Sequence, residues 1–192
     1  MPTCELADVG PVVVKIYTRG GLMGRCNRHR YLRWGPTRSE QEFAWLEQVR
    51  KLGIRAPEPV AAVHRGGLFY RCWLVTHRVY GALPLTQFGR QQPEDLAAVM
   101  AACSRQIDRL IQNRILHPDL HPGNVLVDPH GKIWIIDFDK AAVYRGRRQN
   151  LADRYRRRWR RAVRKHALPH ELAALATSAQ TCRRNEHVND AG

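Results

Sequence analysis

The sequence predicts an α+β protein in two parts, a small antiparallel sheet carrying one helix and then a mainly helical half. Three observations carry that expectation. β-branched runs between Val12 and Val79 flank a single capped helix. Apolar residues between Pro93 and Ile115 recur at a three/four spacing. The stretch from Ile115 to Lys140, ILHPDLHPGNVLVDPHGKIWIIDFDK, reads as a polar loop feeding a β-hairpin.

In chain order, Val12 to Tyr17 is a strand with Lys15 its lone charge. Thr18 to Pro36 is a basic, glycine-containing loop with Arg25, Arg28, His29, Arg30 and Arg33; its length favours a functional role over a plain connector. Thr37 and Glu40 form a capping box for a helix to Leu52, with Phe43, Leu46 and Val49 as its apolar stripe and Gly53 as its stop. Val60 to Val63 and Leu68 to Val79 follow as strands around a turn at His64 to Gly67. Gly81 and Pro84 mark a hinge, so the expected parts are residues 12–81 and 82–180. The second part opens with the Pro93–Ile115 helix, striped by Leu96, Val99, Met100, Cys103, Ile107, Leu110 and Ile111. A basic helix is expected at 147–166 and a last short one at Glu171 to Ala179, before a frayed tail.

Composition narrows the partners. Lys and Arg number 32 against 17 Asp and Glu in 192 residues, a net +15, which calls for an anionic partner. Arg145 to Lys165 alone holds ten arginines and one lysine against one aspartate, a net +10. Leu151, Tyr155, Trp159 and Ala162 stripe this run, so it reads either as a membrane-surface helix or as a helix packed on the protein by the same stripe. The five cysteines form no C-x-x-C pair, which points to a reducing, cytosolic setting without structural zinc. No signal peptide is expected at the N-terminus, and no run of eighteen apolar residues occurs to cross a bilayer.

The hairpin Val125–Val127 and Ile133–Ile136, closed by Asp128-Pro129-His130-Gly131, gathers Asp119, Asn124 and Asp137 at its open end. Any one of them alone is an ordinary turn residue. Together they suit phosphoryl transfer, which needs positioning and charge neutralisation more than covalent help. Asp119 then orients the acceptor hydroxyl, while Asn124, five residues on, and Asp137 hold Mg²⁺. Lys15 on its strand, paired with Glu42 one turn past the helix cap, is the candidate ligand for the nucleotide phosphates.

The stretch His117 to Asn124 resembles the H-x-D-x-x-x-x-N catalytic loop of the protein-kinase-like superfamily, and Asp137-Phe138-Asp139 resembles its metal-binding D-F-G. Asp139 in place of glycine argues against the protein-kinase style of Phe switching. His121 stands where protein kinases usually carry lysine and is open between phosphate contact and packing, whereas His117 is expected to brace the loop. A wider likeness covers Lys15 to Gly21, Arg30 to Trp34, Thr37 to Phe43, Gly67 to Arg71, Trp134 to Lys140 and Gln149 to Leu151. These segments are similar to the lipopolysaccharide kinases, especially those acting on 3-deoxy-D-manno-octulosonic acid (Kdo). That resemblance implies a two-lobed protein-kinase-like fold with a reduced N-lobe, and ATP- and Mg²⁺-dependent phosphorylation of Kdo in Kdo-lipid A. It further implies a peripheral monomer at the cytoplasmic face of a Gram-negative inner membrane, with no nucleic-acid partner.

Kinases of that superfamily place two strands and a phosphate-covering loop before the lysine strand. Only 14 residues precede Lys15, too few for both, and Gly10 stands alone. The expectation is that the chain begins late relative to the full gene product; if complete, it binds ATP weakly or not at all. Two rival readings remain at this point, another kinase of the superfamily acting on a protein or soluble amino alcohol, and a catalytically dead kinase-like binding module or nucleic-acid binder.

Overall fold

The computed structural model describes residues 2–18, 31–32, 35–173 and 175. The described chain is mixed α/β, with four α-helices and small antiparallel sheets. It divides into two compact units, residues 1–51, 56–79 and 137–139 forming one and 52–55, 80–136 and 140–192 the other.

The first unit is built on a five-stranded sheet of β1 (Thr3–Leu6), β2 (Gly10–Ile16), β3 (Tyr31–Leu32), β4 (Pro59–Arg65) and β5 (Phe69–His77). β5 is the axis, pairing β2 and β3 along one edge and β4 along the other, all antiparallel. Sequence reading did not place β1. It pairs with β2 across a three-residue turn that Gly10 closes at φ +81°, a left-handed position only glycine adopts without strain. Gly10, which stands alone in the stretch before Lys15, is therefore a turn closer. Of the basic Thr18–Pro36 loop, residues 19–30 and 33–34 lie outside the described residues, and Tyr31–Leu32 is a strand.

α1 (Arg38–Lys51) starts as its capping box dictates. Thr37 N donates to Glu40 Oε2 at 2.7 Å and Glu40 N to Thr37 Oγ1 at 3.3 Å. The buried stripe is Ser39, Glu42, Leu46 and Val49, at helical spacing, with Phe43 only half-buried. Glu42 thus lies on the face that packs on β4 and β5.

In the second unit a short helix absent from the sequence reading, α2 (Leu85–Gln91), follows β6 (Leu83–Pro84), with Leu85 and Phe88 buried. α3 spans Leu96–Gln112, shorter at both ends than expected. Leu96 N donates to Pro93 O, so Pro93 belongs to the turn before the helix. Arg114 turns left-handed at φ 53°, and Ile115 leaves the helix to pair with Val143 in the β7 (Ile115–Leu116)–β10 (Ala142–Val143) ribbon. Cys103 is fully buried on the apolar stripe, its thiol pushed up to about 12 by burial alone.

The hairpin forms as read, except that its second strand ends at Ile135, one residue short of the expected Ile136. β8 (Val125–Val127) pairs β9 (Ile133–Ile135) with Val125 opposite Ile135 and Val127 opposite Ile133. Asp128 holds the turn: Oδ1 accepts from the His130 and Lys132 amides at 2.9 Å each, and Oδ2 from Trp134 Nε1 at 3.0 Å. Gly131 closes it at φ +70°.

α4 (Arg148–Lys165) resolves the ambiguity of the basic run. Leu151, Tyr155, Trp159 and Val163 are all buried inside the second unit, Val163 taking the place expected of Ala162. Trp159 Nε1 donates to Leu172 O at 2.6 Å. This stripe cannot enter a membrane without unpacking the unit, and only the arginine-bearing faces remain exposed. The described part of the last expected helix, His170–Ala173, is a 3₁₀ turn. No helix among the described residues is long and apolar enough to cross a membrane.

Candidate active site

The first unit brings together Lys15, Glu42 and Asp137. Lys15 Nζ donates to Glu42 Oε2 at 2.6 Å and to Asp137 Oδ1 at 2.5 Å. The strand period explains the approach. Tyr17, two residues beyond Lys15, shares its strand face and donates its hydroxyl to the same Glu42 Oε2. Glu42 Oε1 accepts from the Phe138 amide at 3.0 Å. One buried carboxylate thus anchors both the strand lysine and the D-F-D backbone, and Phe138 is fully buried beside it.

The titration of this cluster follows from burial set against charge. Burial lowers the Lys15 pKa, but Glu42 and Asp137 more than offset it and the net direction is up, so the ammonium is secure at neutral pH. Burial raises the Glu42 pKa, and the Lys15 charge and the hydrogen bonds from Lys15 and Tyr17 recover only part of the shift. Asp137 is held at φ 70°, a left-handed conformation costly for a side-chain-bearing residue and typical of sites where strain positions a group.

Asp139, where a glycine stands in D-F-G, is bound by Arg38 at the start of α1. Arg38 also donates to Tyr31 Oη at 3.0 Å and lies over the Tyr31 and Tyr17 rings. The departure from glycine is matched by a specific cation.

The second unit holds Asp119 and Asn124. His117, buried, bonds Ile136 O through Nε2 at 3.0 Å, the bracing role expected of it. Leu120 is buried beneath the loop. Tyr155 of α4 grips the loop entry, donating to Ile115 O at 2.5 Å and accepting from His117 N at 2.9 Å. His121 Nδ1 accepts from Gly123 N at 3.0 Å and caps the 3₁₀ turn Pro122–Asn124. Asn124 Nδ2 donates to Asp119 O at 2.9 Å, committing the nitrogen to the loop, so that Oδ1 is the end left for the candidate metal role. Asn124 O also accepts from Ile136 N at 3.0 Å, and Asp137 is the next residue in the chain.

Asp119 carries two cations. Lys140 Nζ meets Oδ2 at 3.2 Å and Arg158 of α4 meets Oδ1 at 2.5 Å. Partial burial raises its pKa, but the Lys140 hydrogen bond and the charges of Lys140, Arg158 and His117 outweigh that, and the carboxyl sits below its usual value. It is ionised throughout the physiological range.

Sequence reasoning missed Tyr17, Arg38, Lys140, Tyr155 and Arg158. Tyr17 was findable from the two-residue strand period. Lys140 was visible beside the D-F-D motif. Arg158 gave no local signal, being one of ten arginines in its run.

A helix glutamate that secures both a strand lysine and the amide after a candidate metal-binding aspartate is the arrangement of kinase-like phosphotransferases. Comparison with known proteins gives the family. The lipopolysaccharide kinase (Kdo/WaaP) family model matches residues 4–181. A 3-deoxy-D-manno-octulosonic acid kinase of Vibrio cholerae serotype O1 is 33% identical over 165 residues, covering 83% of this chain and 70% of that protein. Proteins of the same name from Vibrio vulnificus (CMCP6) and Xylella fastidiosa (M12) are 36% and 33% identical over 147 and 153 residues. Those matches cover 73% and 76% of this chain but 61% of each relative, so the chain spans about six- to seven-tenths of the length of these relatives. The chain belongs to the lipopolysaccharide kinase (Kdo/WaaP) family.

Proposed function

We propose that this chain is a Kdo kinase, transferring the γ-phosphoryl group of ATP to a hydroxyl of Kdo in Kdo-lipid A during lipopolysaccharide core assembly. The observation that carries the reading is Glu42, whose two oxygens serve Lys15 and Tyr17 on one side and the Phe138 amide on the other. Membership of the Kdo/WaaP family and relatives named as Kdo kinases support the choice of acceptor.

In this reading the two units are the lobes of a kinase-like fold. Lys15, kept charged and aimed by Glu42, binds ATP phosphates. Asp119 accepts the proton of the sugar hydroxyl as its oxygen bonds to phosphorus and ADP departs. Its lowered pKa favours orientation of the hydroxyl over strong basicity, in keeping with a loose transition state. Lys140 and Arg158 hold Asp119 ionised and fix its direction. Asn124 and Asp137 are the proposed Mg²⁺ ligands. Their donors are an amide oxygen and a carboxylate, hard oxygens suited to Mg²⁺, which takes few protein ligands when phosphates complete its shell. Bound there, the ion would neutralise phosphate charge. Among the described residues no three His, Cys, Asp and Glu side chains cluster as a metal cage, which is compatible with so sparse a set.

We place the protein peripherally on the cytoplasmic face of the inner membrane, where ATP is available and the exposed arginines of α4 favour anionic lipid. The test is γ-labelled ATP offered with Kdo-lipid A, a generic protein acceptor and a soluble amino alcohol. Label is expected on the Kdo-lipid alone; label confined to either other acceptor overturns the assignment.

A further inference from the structure

α4 presents a second face beside its buried stripe. Arg154, Arg157, Arg158, Arg161 and Lys165 recur at helical spacing and, with His121 of the catalytic loop, line an open groove of about 490 Å³. Like charges at these spacings repel one another and lower helix stability. Among the described residues, the acid ion-paired with this face is Asp119, through Arg158. A concave cationic surface with so little internal counter-charge is built for an anionic ligand. Arginine forks match the oxygens of phosphate, and several side by side can hold one dianion from more than one direction.

The groove is continuous with the chemistry. Arg158 lines it and also bonds Asp119 Oδ1, so one side chain joins the groove to the candidate acceptor-orienting carboxylate. His121, lining the same groove, caps the 3₁₀ turn that ends at Asn124. An anion bound here is therefore held within one side chain's reach of the group that receives the sugar hydroxyl. The nucleotide phosphates have their own cation in Lys15, in the first unit.

We infer that this groove binds a phosphomonoester of the acceptor glycolipid, anchoring the lipid A backbone so that the attached Kdo reaches Asp119. The inference rests on the proposed function and adds the acceptor-recognition site to it. It also gives α4 a divided role: the tyrosine–tryptophan face fastens the catalytic loop, and the arginine face reads the substrate's charge. When phosphate engages Arg158, that guanidinium is shared between Asp119 and the ligand, so acceptor binding and the state of Asp119 are coupled.

The test is a binding cycle with the full chain and needs no turnover. The probes are Kdo-lipid A in phosphatidylcholine vesicles and the same lipid after phosphatase treatment. Arg157→Ala/Arg161→Ala is compared with Arg148→Ala/Arg160→Ala, which removes the same charge from α4 outside the groove. Each groove arginine lost removes a charge-assisted hydrogen bond, so affinity for the phosphorylated lipid is expected to fall about tenfold or more in the groove pair. The control pair is expected to stay within about threefold of wild type, since it removes only screened surface charge. On the dephosphorylated lipid both pairs should match wild type. Helical circular dichroism shows that both variants are folded. Equal losses in the two pairs would mean general attraction to an anionic surface, and an undiminished groove effect on dephosphorylated lipid would mean another ligand; either result overturns the inference. Absence of phosphoryl transfer would instead count against the proposed function and leave this readout intact.

Discussion

Glu42 and Asp119 are two carboxylates in opposite situations. Glu42 is buried and meets three donors, so Glu42→Ala strands the Tyr17 hydroxyl and the Phe138 amide, leaves Lys15 with Asp137 alone, and is expected to cost about 3 kcal/mol by urea unfolding. Asp119 is partly exposed and held below its ordinary 3.8 by a lysine and an arginine. A depressed folded pKa means that its contribution to stability is present above 3.8 and is lost as pH falls through the lower folded value. Lys140→Ala removes the largest lowering influence, so the Asp119 carboxyl, followed by carbon-detected NMR, is expected to titrate at higher pH in the variant. An unchanged titration would show that Lys140 does not set it. Lys15, Glu42 and Asp119 were legible because each belongs to a local pattern: a strand with one charge, a capped helix, a loop with fixed spacing. Arg158 was not, because its partner lies 39 residues away and nothing local singles it out.

At the scale of elements, the hairpin and α4 show why some structure is written locally and some is not. The β8–β9 hairpin was legible to within one residue because the Asp128 turn and the β-branched runs specify it locally. Asp128→Ala removes the acceptor for three donors and is expected to cost about 2–3 kcal/mol, measured by chemical denaturation. α2 escaped notice because seven residues containing Gly89 carry too little periodicity. The partner of the α4 stripe was also illegible, since a protein core and a bilayer select the same amphipathic pattern. The structure puts Tyr155 on the backbone of Ile115 and His117. Tyr155→Phe leaves those two groups without their partner and is expected to destabilise the protein by about 2 kcal/mol in urea. If the hydroxyl positions the loop, kcat falls while KM for ATP holds; a stability loss with unchanged kcat would limit it to a packing role.

At the scale of the whole molecule, the two units divide the candidate chemistry, with Lys15, Glu42 and Asp137 in one and Asp119 and Asn124 in the other. The chain's net charge of +15 is concentrated on α4, whose apolar face is consumed internally and whose arginines, Arg156 apart, remain exposed. Composition announced an anionic partner, and the acceptor in the proposed function, a Kdo-lipid, is anionic. In the proposed function Asp119 receives the acceptor hydroxyl of Kdo. The most direct test of that role is the rate of label transfer from γ-labelled ATP to Kdo-lipid A by the wild-type chain and by Asp119→Ala, with folding checked by circular dichroism. Transfer by the wild type is expected, with a fall of about 10²–10⁴-fold in the variant. A folded Asp119→Ala protein that transfers label at the wild-type rate would contradict it.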